Sequence, residues 1–163
     1  EPADGSFALL GNHDPADAVP ILENMGLQVL LNQTVTIERP DGILHLTGLD
    51  DVHSFYTEAA HDALREDRTG CRIAAVHSAE VADLAAAAGV DLYLCGHTHG
   101  GQIRLPWGGP LMTRLRRCRA YSHGLWRHGN MVGYTSNGAG VATIPIRFNC
   151  PPEVALIVLR QGA

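Results

Sequence analysis

Residues 73–102 read IAAVHSAEVADLAAAAGVDLYLCGHTHGGQ, and this stretch decides the fold. Ile73 to Val76 is a short apolar run that stops at His77, the pattern of a buried strand ending at a polar loop. Ser78 stands where an N-cap belongs for an Ala-rich helix through Ala88, and Gly89 supplies the C-terminal stop. Leu92 to Cys95 is a second apolar run, and Gly96 opens the next loop. Strand, helix and strand in such quick succession predict an α/β fold.

The same grammar extends upstream. Phe7 to Leu10 is another apolar run, stopping at Gly11-Asn12-His13-Asp14. Pro15 to Met25 carries Val19, Leu22 and Met25 at helical spacing, with Gly26 as a stop. Val29–Leu31 and Val35–Ile37 read as strands. Pro40-Asp41-Gly42 is a turn signal, and Ile43 to Leu49 alternates as the returning strand of a hairpin. Glu58 to Leu64 reads as a short helix. Downstream, Ile103–Leu105, Leu125–Arg127, Met131–Ser136 and Val154–Leu159 are β-like, and His128-Gly129-Asn130 is a hairpin turn. The last third is therefore expected to be mostly β.

Size and composition fit one domain over residues 1–163, with 45% hydrophobic and 18% charged residues. The net charge of −5 argues against a nucleic-acid partner, which needs a broad basic face. The densest basic stretch, Arg114, Arg116, Arg117 and Arg119, reads as a solvated loop, with contact to an anionic substrate or membrane surface as the alternative. The four cysteines form no CxxC pair. Cys71 and Cys95 sit in apolar runs, as buried thiols do, so no disulfide framework is expected. No apolar run reaches the length of a membrane span.

Three apolar strands thus end in metal-competent residues: Asn12-His13-Asp14, His77 and His97-Thr98-His99. In open α/β sheets ligands bind beyond the carboxyl ends of strands, where loops converge. Imidazole nitrogen and amide oxygen suit divalent ions such as Zn, Mn or Fe. Each motif alone is an ordinary turn; their joint placement makes the expectation a shared site. His97 and His99 are spaced to face one metal or to reach two. His45, His53, His61, His123 and His128 lack such placement and read as surface or loop residues.

On these residues the chain resembles the calcineurin-like metallophosphoesterase superfamily. The matching motifs are Gly11-Asn12-His13-Asp14, the strand end at His77, and Gly96-His97-Thr98-His99-Gly100-Gly101-Gln102. Gly48-Leu49-Asp50-Asp51, Ser136-Asn137-Gly138, Pro145-Ile146-Arg147-Phe148 and Cys150-Pro151-Pro152-Glu153 extend the match, and this tail is similar to a bacterial branch of small, often membrane-associated phosphodiesterases. The resemblance implies part of a four-layer αββα sandwich with its N-terminal half absent. It implies hydrolysis of a phosphate ester, a diester by the branch, at two divalent ions (Mn, Fe or Zn). Asn12, His77 and His97 would hold one ion and His99 the other, with His13 as the catalytic histidine. Asp14 is assigned to the structure of its loop; Asp50 and Asp51 are read as loop-bonding residues or as lining of the cleft, and Arg147 as a structural residue with contact to substrate phosphate as the alternative.

The departures set the alternatives. The superfamily's Asp-x-His and Gly-Asp motifs belong upstream of Gly11, where only ten residues stand. Ser78 replaces a frequent Asn. The chain is therefore expected to need its missing N-terminal half or a complementing chain, and the competing reading is a partner-dependent or inactive metal-binding fragment. A third reading is a mononuclear zinc hydrolase built on His77, His97 and His99. Peripheral membrane association accompanies the branch, and the compartment stays open between membrane-associated and cytoplasmic.

Overall fold

The computed structural model describes residues 2–53, 56–107 and 109–160, so the ends of the 1–163 span lie outside it. Its frame is a mixed six-stranded sheet in the order β3-β4-β5-β6-β8-β7. The strands are β3 (Gln33–Arg39), β4 (Gly42–Gly48), β5 (Cys71–Ala75), β6 (Leu92–Cys95), β7 (Gly124–His128) and β8 (Met131–Thr135). β4, β5, β6 and β8 run parallel, while β3 and β7 pair antiparallel at the edges. β1 (Phe7–Ala8) and β2 (Gln28–Val29) form a separate parallel pair around α1 (Ala18–Asn24). Among the described residues no helix is long and apolar enough to cross a membrane.

The expected α/β alternation is present, and its connections put the site-bearing loops at one end. β4 leads through α2 (Glu58–Arg65) to β5, and β5 through α3 (Ala82–Ala87) to β6. Thr57 caps α2 by accepting from the Ala60 N–H at 3.2 Å, with Glu58 in the first turn and Arg65 in the last, the charge order that a helix dipole favours. Because four neighbouring strands are parallel, Gly48, Ala75, Cys95 and Thr135 all end at the same edge.

Packing follows the register. Thr47, Ala74, Tyr93, Gly133 and Trp126 stand side by side across the sheet. They face the core to which α2 gives Ala60 and Leu64 and α3 gives Ala82 and Ala85. The alanines let α3 lie close, and Tyr93, fully buried, sends its hydroxyl to the Ser78 carbonyl at 2.7 Å. Trp126 stacks on Tyr121 at 4.2 Å and donates its indole N–H to Thr135. The next row, on the opposite face, is also apolar. Val35 stands opposite Leu46 and Ile37 opposite Leu44, yet all four are only half-buried.

Several expectations need correction. Ser78 occupies the cap position in extended conformation but makes no side-chain cap bond; its buried hydroxyl has no partner, and a 3-10 turn at Ala79–Val81 precedes the short α3. Val154–Leu159 is not a strand: no described strand pairs with it, and Val154 is 92% exposed. Ile103–Leu105 reduces to isolated bridges, because Ile103 meets Phe148 and Arg104 meets Pro110 at single points. The last third is thus one β7–β8 hairpin within irregular loops. Phe7–Leu10 and Val29–Leu31 shrink to the two-residue β1 and β2.

The close approach of Trp126 to β8 gives a stability prediction. A Cβ at Gly133 would overlap the indole ring. Gly133→Ala is expected to cost roughly 1–3 kcal/mol by overpacking, read as a lower denaturant midpoint.

Candidate metal centre

Each arm of the site comes from a loop that follows a strand: β1 of the two-stranded pair, and β5 and β6 of the six-stranded sheet. Asn12 lies in the turn after β1, whose closure Asp14 secures by accepting the Gly11 N–H at 2.8 Å. His77 follows β5 by two residues. His97 lies in the turn after β6, held by Thr98, which donates to the Ser122 carbonyl at 2.6 Å and accepts from Gly100 N–H at 3.2 Å. Gly11 is demanded by proximity, since a Cβ there would stand 2.5 Å from the His77 ring.

Three side-chain atoms meet at the centre. Asn12 Oδ1 lies 2.8 Å from His77 Nε2 and 3.2 Å from His97 Nδ1, and the two nitrogens are 3.0 Å apart. Protons satisfy this triangle only in part. With hydrogens on both nitrogens, both can donate to the amide oxygen, but the two N–H groups crowd each other at 3.0 Å. With one, a lone pair on the other nitrogen faces the amide oxygen. With none, all three edges are repulsive. A cation beside the triangle is attracted by all three lone pairs at once.

Electrostatics keep the imidazoles in the ligating form. Burial, then the neighbouring His77 and His53, push the pKa of His97 from 6.5 down to about 4. Burial lowers His77 as well, against the opposing pull of Asp51 and Asp14. Both are therefore neutral at pH 7, with lone pairs available.

The remaining expected site residues share the cleft without joining the triangle. His13 and His99 line the same cleft, His13 exposed and His99 half-buried. Among the described residues the only set of three His, Cys, Asp or Glu whose ligand atoms all lie within 4.8 Å is Glu58, His61 and Asp62 on α2. The triad His77, His97 and His99 is therefore not assembled as one three-histidine site. The loop residues do structural work. Asp50 and Asp51 accept backbone N–H groups from Asp51 and His53. Arg147 gathers the carbonyls of Asn137 at 2.7 Å, Gly138 at 3.0 Å and His99 at 3.3 Å.

His53 was read as a surface or loop residue, yet it lines this cleft. Its ring lies 4.3 Å from that of His97, and its Nδ1 is 3.5 Å from the buried carboxylate of Glu80. Glu80 in turn accepts the N–H groups of Arg116 at 2.7 Å and Arg117 at 2.8 Å. The signal was available: His53 sits just beyond the C-terminal end of β4, a parallel strand like those that carry the other loops.

Comparison with known proteins gives consistent relatives. Over 163 residues the chain is 30% identical to the uncharacterized metallophosphoesterase YkuE of Bacillus subtilis, covering 96% of this chain and 57% of that protein. It is 30% identical over 161 residues to the phosphodiesterase YaeI of Escherichia coli, covering 94% and 58% respectively. An uncharacterized metallophosphoesterase of Helicobacter pylori is 30% identical over 166 residues, or 95% of this chain and 42% of that one. The chain thus spans about half the length of the curated relatives it matches. No family model matches the chain, and no solved structure does.

Two outcomes follow from the geometry. Gly11→Ala is expected to push the His77 ring out of the triangle and to weaken Mn binding in calorimetry, while circular dichroism stays native. Because the folded pKa of His97 lies below the unfolded value, protonation favours the unfolded chain. The part of the stability linked to His97 is therefore full above pH 6.5 and is lost as pH falls toward about 4. His97→Gln should flatten that slope in urea titrations.

Proposed function

We propose that this chain, a homologue of the metallophosphoesterases along nearly its whole length, carries the imidazole–amide side of a binuclear phosphoesterase centre. The complete protein would hydrolyse a phosphate ester, with a phosphodiester as the preferred class. The observation that carries the reading is the lone-pair triangle of Asn12, His77 and His97. Those three residues would hold one divalent ion, and His99, in the same cleft, would serve the second. When bound, such ions supply Lewis-acid charge to the phosphoryl oxygens and ready a water for attack.

The chain's own residues then divide the work. His13 stands exposed in the cleft, where it would give a proton to the leaving oxygen of the ester. Its side chain is free of the triangle, so proton transfer does not compete with ligation. Thr98 and Arg147 fix the backbone of the His97–Gln102 turn and so hold the imidazoles in register. The donor set of two imidazoles and an amide oxygen would suit Mn, Fe or Zn.

Two observations favour a partner-dependent form. The apolar pairs Val35–Leu46 and Ile37–Leu44 are only half-buried, and the run Val154–Leu159 has no pairing strand among the described residues. A further polypeptide segment, of the same protein or of a complementing chain, would cover the first and pair with the second. It would also supply the carboxylate ligands that this chain's cleft does not gather.

The test combines binding and turnover. Mn titration of this chain should give one weak site that His97→Ala abolishes, and the complete protein should bind Mn more tightly. In the complete protein, His13→Gln should lower turnover of a bis-aryl phosphate by roughly 10²–10⁴-fold while Mn affinity is retained. Loss of Mn binding in His13→Gln would remove His13 from the proton-donor role and make it a ligand.

A further inference from the structure

Among the described residues Glu80 is the only buried acid. It lies in the 3-10 turn Ala79–Val81, which follows His77 directly after Ser78, and its side chain is 6% exposed. Both carboxylate oxygens accept backbone donors: Oε1 takes the Arg116 N–H at 2.7 Å and Oε2 the Arg117 N–H at 2.8 Å. A carboxylate is costly to bury and is retained where its partners are fixed. A third group stands against it. His53 Nδ1 is buried 3.5 Å from Oε1 and makes no hydrogen bond among the described residues.

His53 is itself held in place. Val52 beside it is buried in the core, Asp51 accepts its backbone N–H at 3.0 Å, and its side chain is 12% exposed. Its ring meets that of His97, with centroids 4.3 Å apart and planes tilted by 39°. His97 needs such a neighbour. A histidine that ligates a metal through one nitrogen usually donates its other N–H to a carboxylate, a carbonyl or water, and that bond fixes the ring. In His97, Nδ1 faces the triangle, while Nε2 is buried with no hydrogen-bond partner among the described residues. Packing must therefore set the ring, and the rings it meets are His53 and, edge-on at 4.9 Å, His77. His53 is not a further ligand of the same ion. Among the described residues it joins no set of three His, Cys, Asp or Glu whose ligand atoms all lie within 4.8 Å.

We infer that His53, set by Glu80, is a positioning residue for His97: its ring holds the His97 imidazole at the angle that aims Nδ1 at His77 Nε2 and Asn12 Oδ1. A ring contact takes the place of the usual hydrogen bond, and the carboxylate acts on His97 through an intervening imidazole. The role rests on the reading of the cleft as a metal centre, while the ring contact itself is present without metal. Removing the His53 ring leaves space into which His97 can turn. A phenyl ring fills that space without supplying nitrogens.

Nuclear magnetic resonance of the metal-free chain reads the His97 ring directly, with His97→Gln to assign its signals. The wild-type chain is expected to show one set of His97 ring signals and a proton–proton contact to the His77 ring. In His53→Ala the signals should broaden and the contact fade, and His53→Phe should restore both. In the complete protein, Mn affinity should fall about tenfold in His53→Ala and return in His53→Phe. A ring contact and Mn affinity that His53→Ala leaves unchanged overturn the inference. So does a His53→Phe variant as impaired as His53→Ala, which would make a His53 nitrogen the working group instead of its ring. Should circular dichroism show His53→Ala unfolded, Glu80→Gln carries the test: it should broaden the His97 signals, and sharp, unshifted signals overturn the inference. Ring signals that respond as expected in a protein that binds no Mn would uphold the positioning of His97 and remove the metal from the cleft.

Discussion

Three lone pairs pointing at one place are the constraint around which this molecule is arranged. Asn12 and His77 are 65 residues apart in sequence, and Asn12 and His97 are 85 apart, yet their ligating atoms lie within 3.2 Å. Nothing in the side chains themselves favours that meeting. The parallel strands β5 and β6 deliver the loops of His77 and His97 to one edge, the separate β1–β2 pair carries the turn that presents Asn12, and glycines stand at the crowded points. Gly100 shows the same economy of space as Gly11: a Cβ there would overlap Asn137 and Cys150.

Holding such loops takes a second tier of bonds, and they are mainly side chain to backbone. Glu153 accepts from the Asn137 N–H at 2.9 Å and the Tyr134 hydroxyl at 2.9 Å, fixing the end of β8 to the tail. Arg147 ties that region to the turn carrying His97 and His99 through their shared carbonyl contacts. Glu80 links the loop at Arg116 and Arg117 to His53, and so to the His97 ring. The Arg147 and Glu80 bridges reach the His97–His99 turn from separate elements, which explains how irregular backbone can present a defined constellation.

Much of this was legible in the residues before any coordinates. Short apolar runs ending in His or Asn gave β5 and β6 nearly to the residue, because a buried parallel strand needs apolar side chains on both faces and must stop where polarity begins. The convergence of Asn12, His77 and His97 followed from the rule for strand ends. Other features were hidden for physical reasons. Val154–Leu159 has strand composition, but pairing depends on a neighbour that composition does not reveal. Ser78 has the right residue type and backbone angles for a cap, yet its buried hydroxyl makes no cap bond, and a 3-10 turn takes the place of the first helical turn. His53 lies farther past the end of β4 than His77 lies past β5, so the strand-end signal it carried was present but weak.

The turn from His97 to Gln102 has one further meaning. His97, His99 and Gln102 all adopt positive φ, at 67°, 50° and 52°, although none is glycine. Each such residue costs roughly 1–3 kcal/mol, and the surrounding bonds bear that cost when the chain folds. An incoming ligand would then meet side chains already aimed, with little reorganisation left to perform. Preorganisation of this kind shifts the burden of recognition from the moment of encounter to the moment of folding.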